Sequence, residues 1–158
     1  MSLEKKIIKL LLQKKYTITT VESCTGGLLM GTLLNASGAS ACVNEGYITY
    51  SNEAKSRLVN VSAQTLIEYG AVSVETAREM VIGGAQVAKA DVAVSVTGVA
   101  GPDGGTKEKP VGLVYIGCYV SGVVNVIQCN FSGTREENRR QSVVEAMKLV
   151  ITMLESQG

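Results

Sequence analysis

Four segments of this chain bring together residue types that can do chemistry. In Glu22-Ser23-Cys24-Thr25-Gly26-Gly27, Ser23 stands where a β-branched run passes into an apolar helical pattern. Free backbone N–H groups and the helix dipole favour negative charge at such a place. Ser23 can cap that helix, or it can act as a nucleophile with the amides of Thr25 and Gly26 as an oxyanion hole. In Thr49-Tyr50-Ser51-Asn52-Glu53-Ala54-Lys55, Lys55 is either a solvated surface lysine or a base for a serine. The second role requires its pKa to fall from about 10.4 towards neutrality by desolvation or a neighbouring cation. Tyr50 is either a proton relay or lysine holder, or a half-buried strand tyrosine with its hydroxyl in water.

Gly98-Val-Ala-Gly101-Pro102-Asp103-Gly104-Gly105 fits neither the P-loop nor the G-x-G-x-x-G pattern, so no nucleoside triphosphate or dinucleotide fold follows from it. It still follows a strand, at the edge where α/β sheets bind ligands, and it reads equally as a long turn. No carboxylate cluster accompanies Asp103, and no metal is assigned. In Ser132-Gly133-Thr134-Arg135-Glu136-Glu137-Asn138-Arg139-Arg140 the arginines oppose the helix dipole mildly. They are either surface residues, or Arg135 joins the helix N–H groups in holding a phosphate or carboxylate.

The 158 residues contain no histidine, which removes the Ser-His-Asp triad and every His-containing zinc site. Proton transfer near neutrality then falls to a retuned Lys, Tyr, Cys or carboxylate. Cys24, Cys42, Cys118 and Cys129 form no CxxC, and read as buried free thiols of a cytoplasmic protein. A formal net charge of +1 gives no field for gathering nucleic acid. The apolar runs near the N-terminus are short and broken by Lys9, so they read as an amphipathic helix and not as a signal peptide. No membrane span is expected.

The elements that must position these residues follow from periodicity. Leu3, Ile7, Leu10 and Leu11 share one face of a first helix. Strands are expected over 16–22, 43–50, 91–97, 111–120 and 123–131, with Ser121-Gly122 as a hairpin turn. Ser51, Ser62 and Ser73 are placed to cap helices, and Gly70 to close the second of these. The Ser73 helix has Ala77, Met80, Val81, Ala85, Val87 and Ala88 as its candidate buried face. Its Gly83-Gly84 pair permits close approach of a neighbouring element. Thr134-x-x-Glu137 has the form of a capping box opening the last helix. One domain over residues 1–158 is expected, with a five-stranded mixed sheet covered on both faces.

Taken together the segments resemble the CinA C-terminal domain family, named for competence- and damage-inducible proteins, and in particular its stand-alone nicotinamide-mononucleotide amidohydrolases. The stretches that carry the likeness are 22–27, Gly46 with 49–55, 70–73, Thr97-Gly98-x-Ala-Gly-Pro102, Gly104-Gly105, 108–112 and Phe131-x-Gly133-x-Arg135. The resemblance implies a three-layer α/β/α sandwich. It implies deamidation of nicotinamide mononucleotide to nicotinate mononucleotide and ammonia, within pyridine-nucleotide salvage. It further implies a serine–lysine mechanism with Ser23 as nucleophile, Lys55 as general base and Tyr50 assisting. The amides of Thr25, Gly26 and Gly27 would form the oxyanion hole, while Thr97, Gly98, Gly101, Pro102 and Arg135 would meet substrate and phosphate. No cofactor is implied; the expected partner is a small nucleotide, not nucleic acid or membrane. A homodimer or higher homo-oligomer has room but no residue that specifies it. The alternative is a non-catalytic nucleotide- or partner-binding module in a competence or DNA-damage response.

Overall fold

β1 (Ile18–Glu22) is buried along its whole length, and β3 (Val92–Gly98) as far as Thr97, so both lie at the middle of a covered sheet. The structure, a computed structural model, describes residues 1–157. Chain order gives α1 (Leu3–Lys14), β1, α2 (Leu28–Leu33), a 3-10 turn (Ala39–Ala41), β2 (Tyr47–Ile48), α3 (Asn52–Val59), α4 (Ala63–Tyr69) and α5 (Val74–Ala88). Then follow β3, β4 (Leu113–Val120), β5 (Val123–Asn130) and α6 (Arg135–Ser156). The sheet order is β2-β1-β3-β4-β5. β1 pairs in parallel with β2 and β3, while β3–β4 and β4–β5 are antiparallel. α1, α2 and α6 bury Ile7, Leu11, Leu29, Leu33, Val150 and Leu154 against one face. α5 packs on the other, with Val81 and Ala85 against Ala93 and with Met80 joining Val21, Val59 and Val61. This is a three-layer α/β/α sandwich on a five-stranded mixed sheet.

Local signals place the element ends. Ser51 Oγ accepts the Ala54 N–H at 3.0 Å, and Ser73 Oγ accepts the Thr76 N–H at 3.1 Å. Thr134 and Glu137 complete a reciprocal capping box. Ser121 and Gly122 both take positive φ, 45° and 91°, as a two-residue primed hairpin turn requires. Three expectations are corrected. The second strand shrinks from 43–50 to Tyr47–Ile48, with Val43 adding a single bridge to Ile18. It is an edge strand, and the chain leaves it at Thr49, whose N–H donates to the Glu22 carbonyl. Val87 is exposed; the last buried residue of α5 is Ala85. Ser62 starts α4 without a side-chain cap; its N–H donates to Glu79 Oε1. Among the described residues no helix is long and apolar enough to cross a membrane.

Candidate active site

The chain runs from β1 outward to β2 on one side, then crosses back to β3 on the other. The carboxyl ends of β1 and β3 therefore flank a topological switch point, where open α/β sheets leave a crevice. Ser23 follows β1, Lys55 rides on the helix after β2, and the 98–105 loop follows β3. A cleft of about 290 Å³ opens there, lined by Ser23, Cys24, Tyr50, Lys55, Thr97, Gly98, Gly101 and Arg135 among others.

Lys55 is 1% exposed and is the largest fully buried side chain of the protein. Its Nζ lies 3.1 Å from Ser23 Oγ and 2.9 Å from the Thr49 carbonyl oxygen. Burial draws its pKa down from the usual lysine range to about 8. As a neutral amine it can donate one N–H to Thr49 while its lone pair accepts the Ser23 hydroxyl proton; as an ammonium it donates to both oxygens. The neighbouring Cys24 thiol is pushed up to about 11, chiefly by burial, so it stays protonated near neutrality and is no rival nucleophile.

The loop after β1 is almost fully committed. Ser23 N–H donates to Val96 O, Gly26 N–H to Ser23 O, Gly27 N–H to Glu22 Oε1 and Leu28 N–H to Thr25 O. Glu22, 1% exposed, also accepts from Thr20 Oγ1, Thr25 Oγ1, Leu29 N–H and Met30 N–H. It thereby supplies the α2 N-terminus with the cap that Gly27 lacks. The first two amides after Ser23, those of Cys24 and Thr25, make no such bond among the described residues. The expectation of an oxyanion hole from Thr25, Gly26 and Gly27 is thus revised. The two glycine amides are spent inside the loop, while the Cys24 and Thr25 amides are free.

The remaining expected residues divide. Arg135 crosses the cleft mouth, donating from Nη1 to Gly101 O at 2.8 Å and from Nη2 to Tyr50 Oη at 2.9 Å. Tyr50 is 61% exposed at the rim, and its hydroxyl meets Arg135, not the Ser23–Lys55 pair. The Thr97 hydroxyl is committed to Ala71 O at 2.8 Å, which ties β3 to the segment before α5. Gly98 and Gly101 line the cleft; Pro102 is exposed and lies outside the lining. The structure adds Asn52, Ala71, Val72 and Asp103 to the walls. It adds Asn138 beneath them, 1% exposed, bonding Ala100 O and the Gly133 N–H. Residues 70–73 carried a helix-closing glycine and a capping serine in the sequence, but no role at the site. Asn138 gave none, since a polar residue in a first helical turn reads as surface.

Three comparisons bear on this arrangement. A family model described as the CinA C-terminal domain matches residues 1–154. A competence-damage inducible protein of Clostridium beijerinckii is 48% identical over 153 residues, covering 97% of this chain and 37% of that protein. One from Alkaliphilus metalliredigens is 51% identical over 146 residues, covering 92% and 36%. The chain thus spans little more than a third of the length of these relatives. The crystal structure of the competence/damage inducible protein CihA from Agrobacterium tumefaciens superposes with a TM-score of 0.94 at 39% identity, covering 97% of this chain and 93% of that one. A CinA superfamily protein from Klebsiella pneumoniae gives 0.93 at 33%, covering 98% and 96%.

Proposed function

The chain belongs to the CinA C-terminal domain family, and from that premise we propose that it is a serine–lysine amidohydrolase converting nicotinamide mononucleotide and water to nicotinate mononucleotide and ammonia. The observation that carries the reading is the 3.1 Å contact of a buried, carboxylate-free lysine amine with Ser23 Oγ at the mouth of a cleft. The family resemblance supplies the substrate. Neutral Lys55 takes the Ser23 proton as Oγ attacks the amide carbonyl. The Cys24 and Thr25 amides hold the oxygen that becomes negative. The Lys55 ammonium then returns its proton to the amide nitrogen, so that ammonia leaves and a nicotinoyl ester remains on Ser23. Water, deprotonated by the same amine, cleaves the ester. Arg135 at the rim faces the substrate phosphate, and Tyr50 acts with it there, not in proton transfer.

The test is direct. The protein incubated with nicotinamide mononucleotide releases ammonia and nicotinate mononucleotide in equal amounts, and mass spectrometry of quenched enzyme finds the acyl group on the peptide containing Ser23. Release of neither product rejects the substrate. Turnover of other small amides but not this one keeps the chemistry and changes the specificity. Binding of the nucleotide without turnover, unaltered by Lys55→Ala, favours the non-catalytic module.

The pH profile follows from Lys55. With a pKa of about 8, only about a tenth of the amine is neutral at pH 7. kcat/KM therefore rises about tenfold per pH unit up to that value and levels off above it. A rate independent of pH between 6 and 9 removes Lys55 from the role of base. Arg135→Ala is expected to raise KM for the mononucleotide about tenfold with little change in kcat. The KM for the corresponding riboside, which has no phosphate, is expected not to move.

A further inference from the structure

A second arginine, Arg139, lies one helical turn beyond Arg135 and meets the backbone of the loop that carries Ser23. Its guanidinium is half-buried, donating from Nε to Cys24 O at 2.9 Å and from Nη2 to Thr25 O at 3.1 Å. No carboxylate pairs with it among the described residues; the ion pairs of α6 involve Arg140, Lys148 and, through Glu155, Lys6. A charged fork spent on two successive neutral carbonyls is an uncommon use of arginine, whose planar geometry matches carboxylate or phosphate. Its effect follows from peptide planarity. The bond between residues 24 and 25 is trans, so a Cys24 carbonyl turned to Arg139 turns the Thr25 N–H the opposite way. The next peptide is pinned at both ends, its carbonyl by Arg139 and its Gly26 N–H by the Ser23 carbonyl. That second bond also fixes the peptide between 23 and 24, and with it the Cys24 N–H. Of the backbone N–H groups from Ser23 to Leu28, those of Cys24 and Thr25 make no hydrogen bond among the described residues.

We propose that Arg139 is a positioning residue for the reaction: by gripping the Cys24 and Thr25 carbonyls it fixes the peptide planes whose free N–H groups receive the oxyanion, and it polarises them as donors through the same peptide units. The proposal rests on the serine–lysine reading. The positive charge also reaches the turn itself, where it opposes the burial that raises the Cys24 thiol. Arg139 does not line the cleft, which separates it from Arg135.

Steady-state kinetics of Arg139→Ala and Arg139→Lys are to be compared with melting temperatures of the same variants. The expected result is a fall in kcat of about 100-fold in Arg139→Ala, the scale of losing oxyanion donors, with KM for nicotinamide mononucleotide within about threefold. Guanidinium at millimolar concentration restores part of kcat in Arg139→Ala and none in Ser23→Ala. A lysine cannot span both carbonyls, so Arg139→Lys folds normally yet stays at least about tenfold slow. A raised KM with kcat retained makes Arg139 a substrate ligand and overturns the proposal, as does unchanged kcat. Labelling of Ser23 by a fluorophosphonate separates this from the choice of substrate. Wild type that labels but does not turn over the mononucleotide rejects the substrate, while slow labelling of Arg139→Ala still upholds the positioning role. Wild type that neither labels nor turns over rejects both.

Discussion

Lys55→Met is expected to lose ammonia release by about three orders of magnitude or more and at the same time to melt above wild type at pH 7. Lys55 is 1% exposed and has no carboxylate partner, so below its pKa of about 8 the fold holds an uncompensated ammonium. The unfolded chain binds that proton up to about pH 10.4. Wild-type stability therefore rises with pH between about 8 and 10.4, and the full penalty, about 3 kcal/mol, is present below pH 8. Methionine fills the volume of the lysine stem without the charge. It leaves the Thr49 carbonyl and the Ser23 hydroxyl short of one partner each, which costs about 1–2 kcal/mol together. The net gain is about 1–2 kcal/mol, or about 3–6 °C in Tm for a domain of this size. The gain shrinks as melts are repeated towards pH 10. Ser23→Ala provides the contrast: it loses turnover equally but keeps the buried ammonium and gains no stability at pH 7. A Lys55→Met variant less stable than wild type at every pH would show that the pocket holds the charge without cost.

This antagonism between stability and chemistry explains which parts of the site could be read in advance. Several helix starts and the hairpin turn were visible because local sequence governs them. Ser51 and Ser73 cap their helices, the Thr134–Glu137 box opens α6, and Ser121-Gly122 turns the hairpin. The placement of Ser23 after β1 followed from the same local signals. Lys55 was a candidate base from the sequence, but its burial did not follow from local signals, since a lysine amid Ser, Asn and Glu in the first turns of a helix has the marks of a solvated one. Its burial comes from the parallel pairing of β1 with a two-residue β2 and from α5 closing over α3. Those are contacts distant in the chain. Glu22 was equally opaque: it ends an apolar strand, yet its carboxylate gathers three backbone N–H groups of the α2 start. That diverts the Gly26–Gly27 region from the oxyanion role its flexibility had favoured. The resemblance implied that Tyr50 assists Ser23 and Lys55, but its hydroxyl meets Arg135 at the exposed rim. In each case composition and spacing identified the segment, and partners more than twenty residues away or a buried charge decided the role.

The second large effect lies outside the cleft, at Gly83 on α5. Replacing a helix-interior glycine by alanine ordinarily stabilises by about 1 kcal/mol. Gly31, in α2, has no heavy atom within 4 Å of where its Cβ would stand, and Gly31→Ala is expected to show that gain. Gly83→Ala is expected to show the reverse. A Cβ at Gly83 would lie 1.7 Å from the Val59 carbonyl oxygen and 2.8 Å from its carbon, both backbone atoms at the end of α3. Neither can move aside as a side chain does, so α3 as a whole must withdraw from α5 by more than 1 Å. Overpacking of this kind costs about 1–3 kcal/mol or more, which corresponds to a Tm lower by about 3–10 °C. The displacement also reaches the chemistry, because α3 carries Lys55 one turn before Val59. Moving Nζ from 3.1 Å to beyond 4 Å from Ser23 Oγ breaks the hydrogen bond through which, in the proposed mechanism, the proton passes. A misplacement of that size costs about 100-fold in rate. Lower stability and lower kcat are thus expected together in Gly83→Ala, with KM for the nucleotide changed less, because of the cleft-lining residues only Asn52 and Lys55 belong to α3. Calorimetry and steady-state kinetics on the two alanine variants side by side decide the matter. Equal gains in stability at both glycines would mean that α3 is free to move, and that the Ser23–Lys55 distance is not set by its packing on α5.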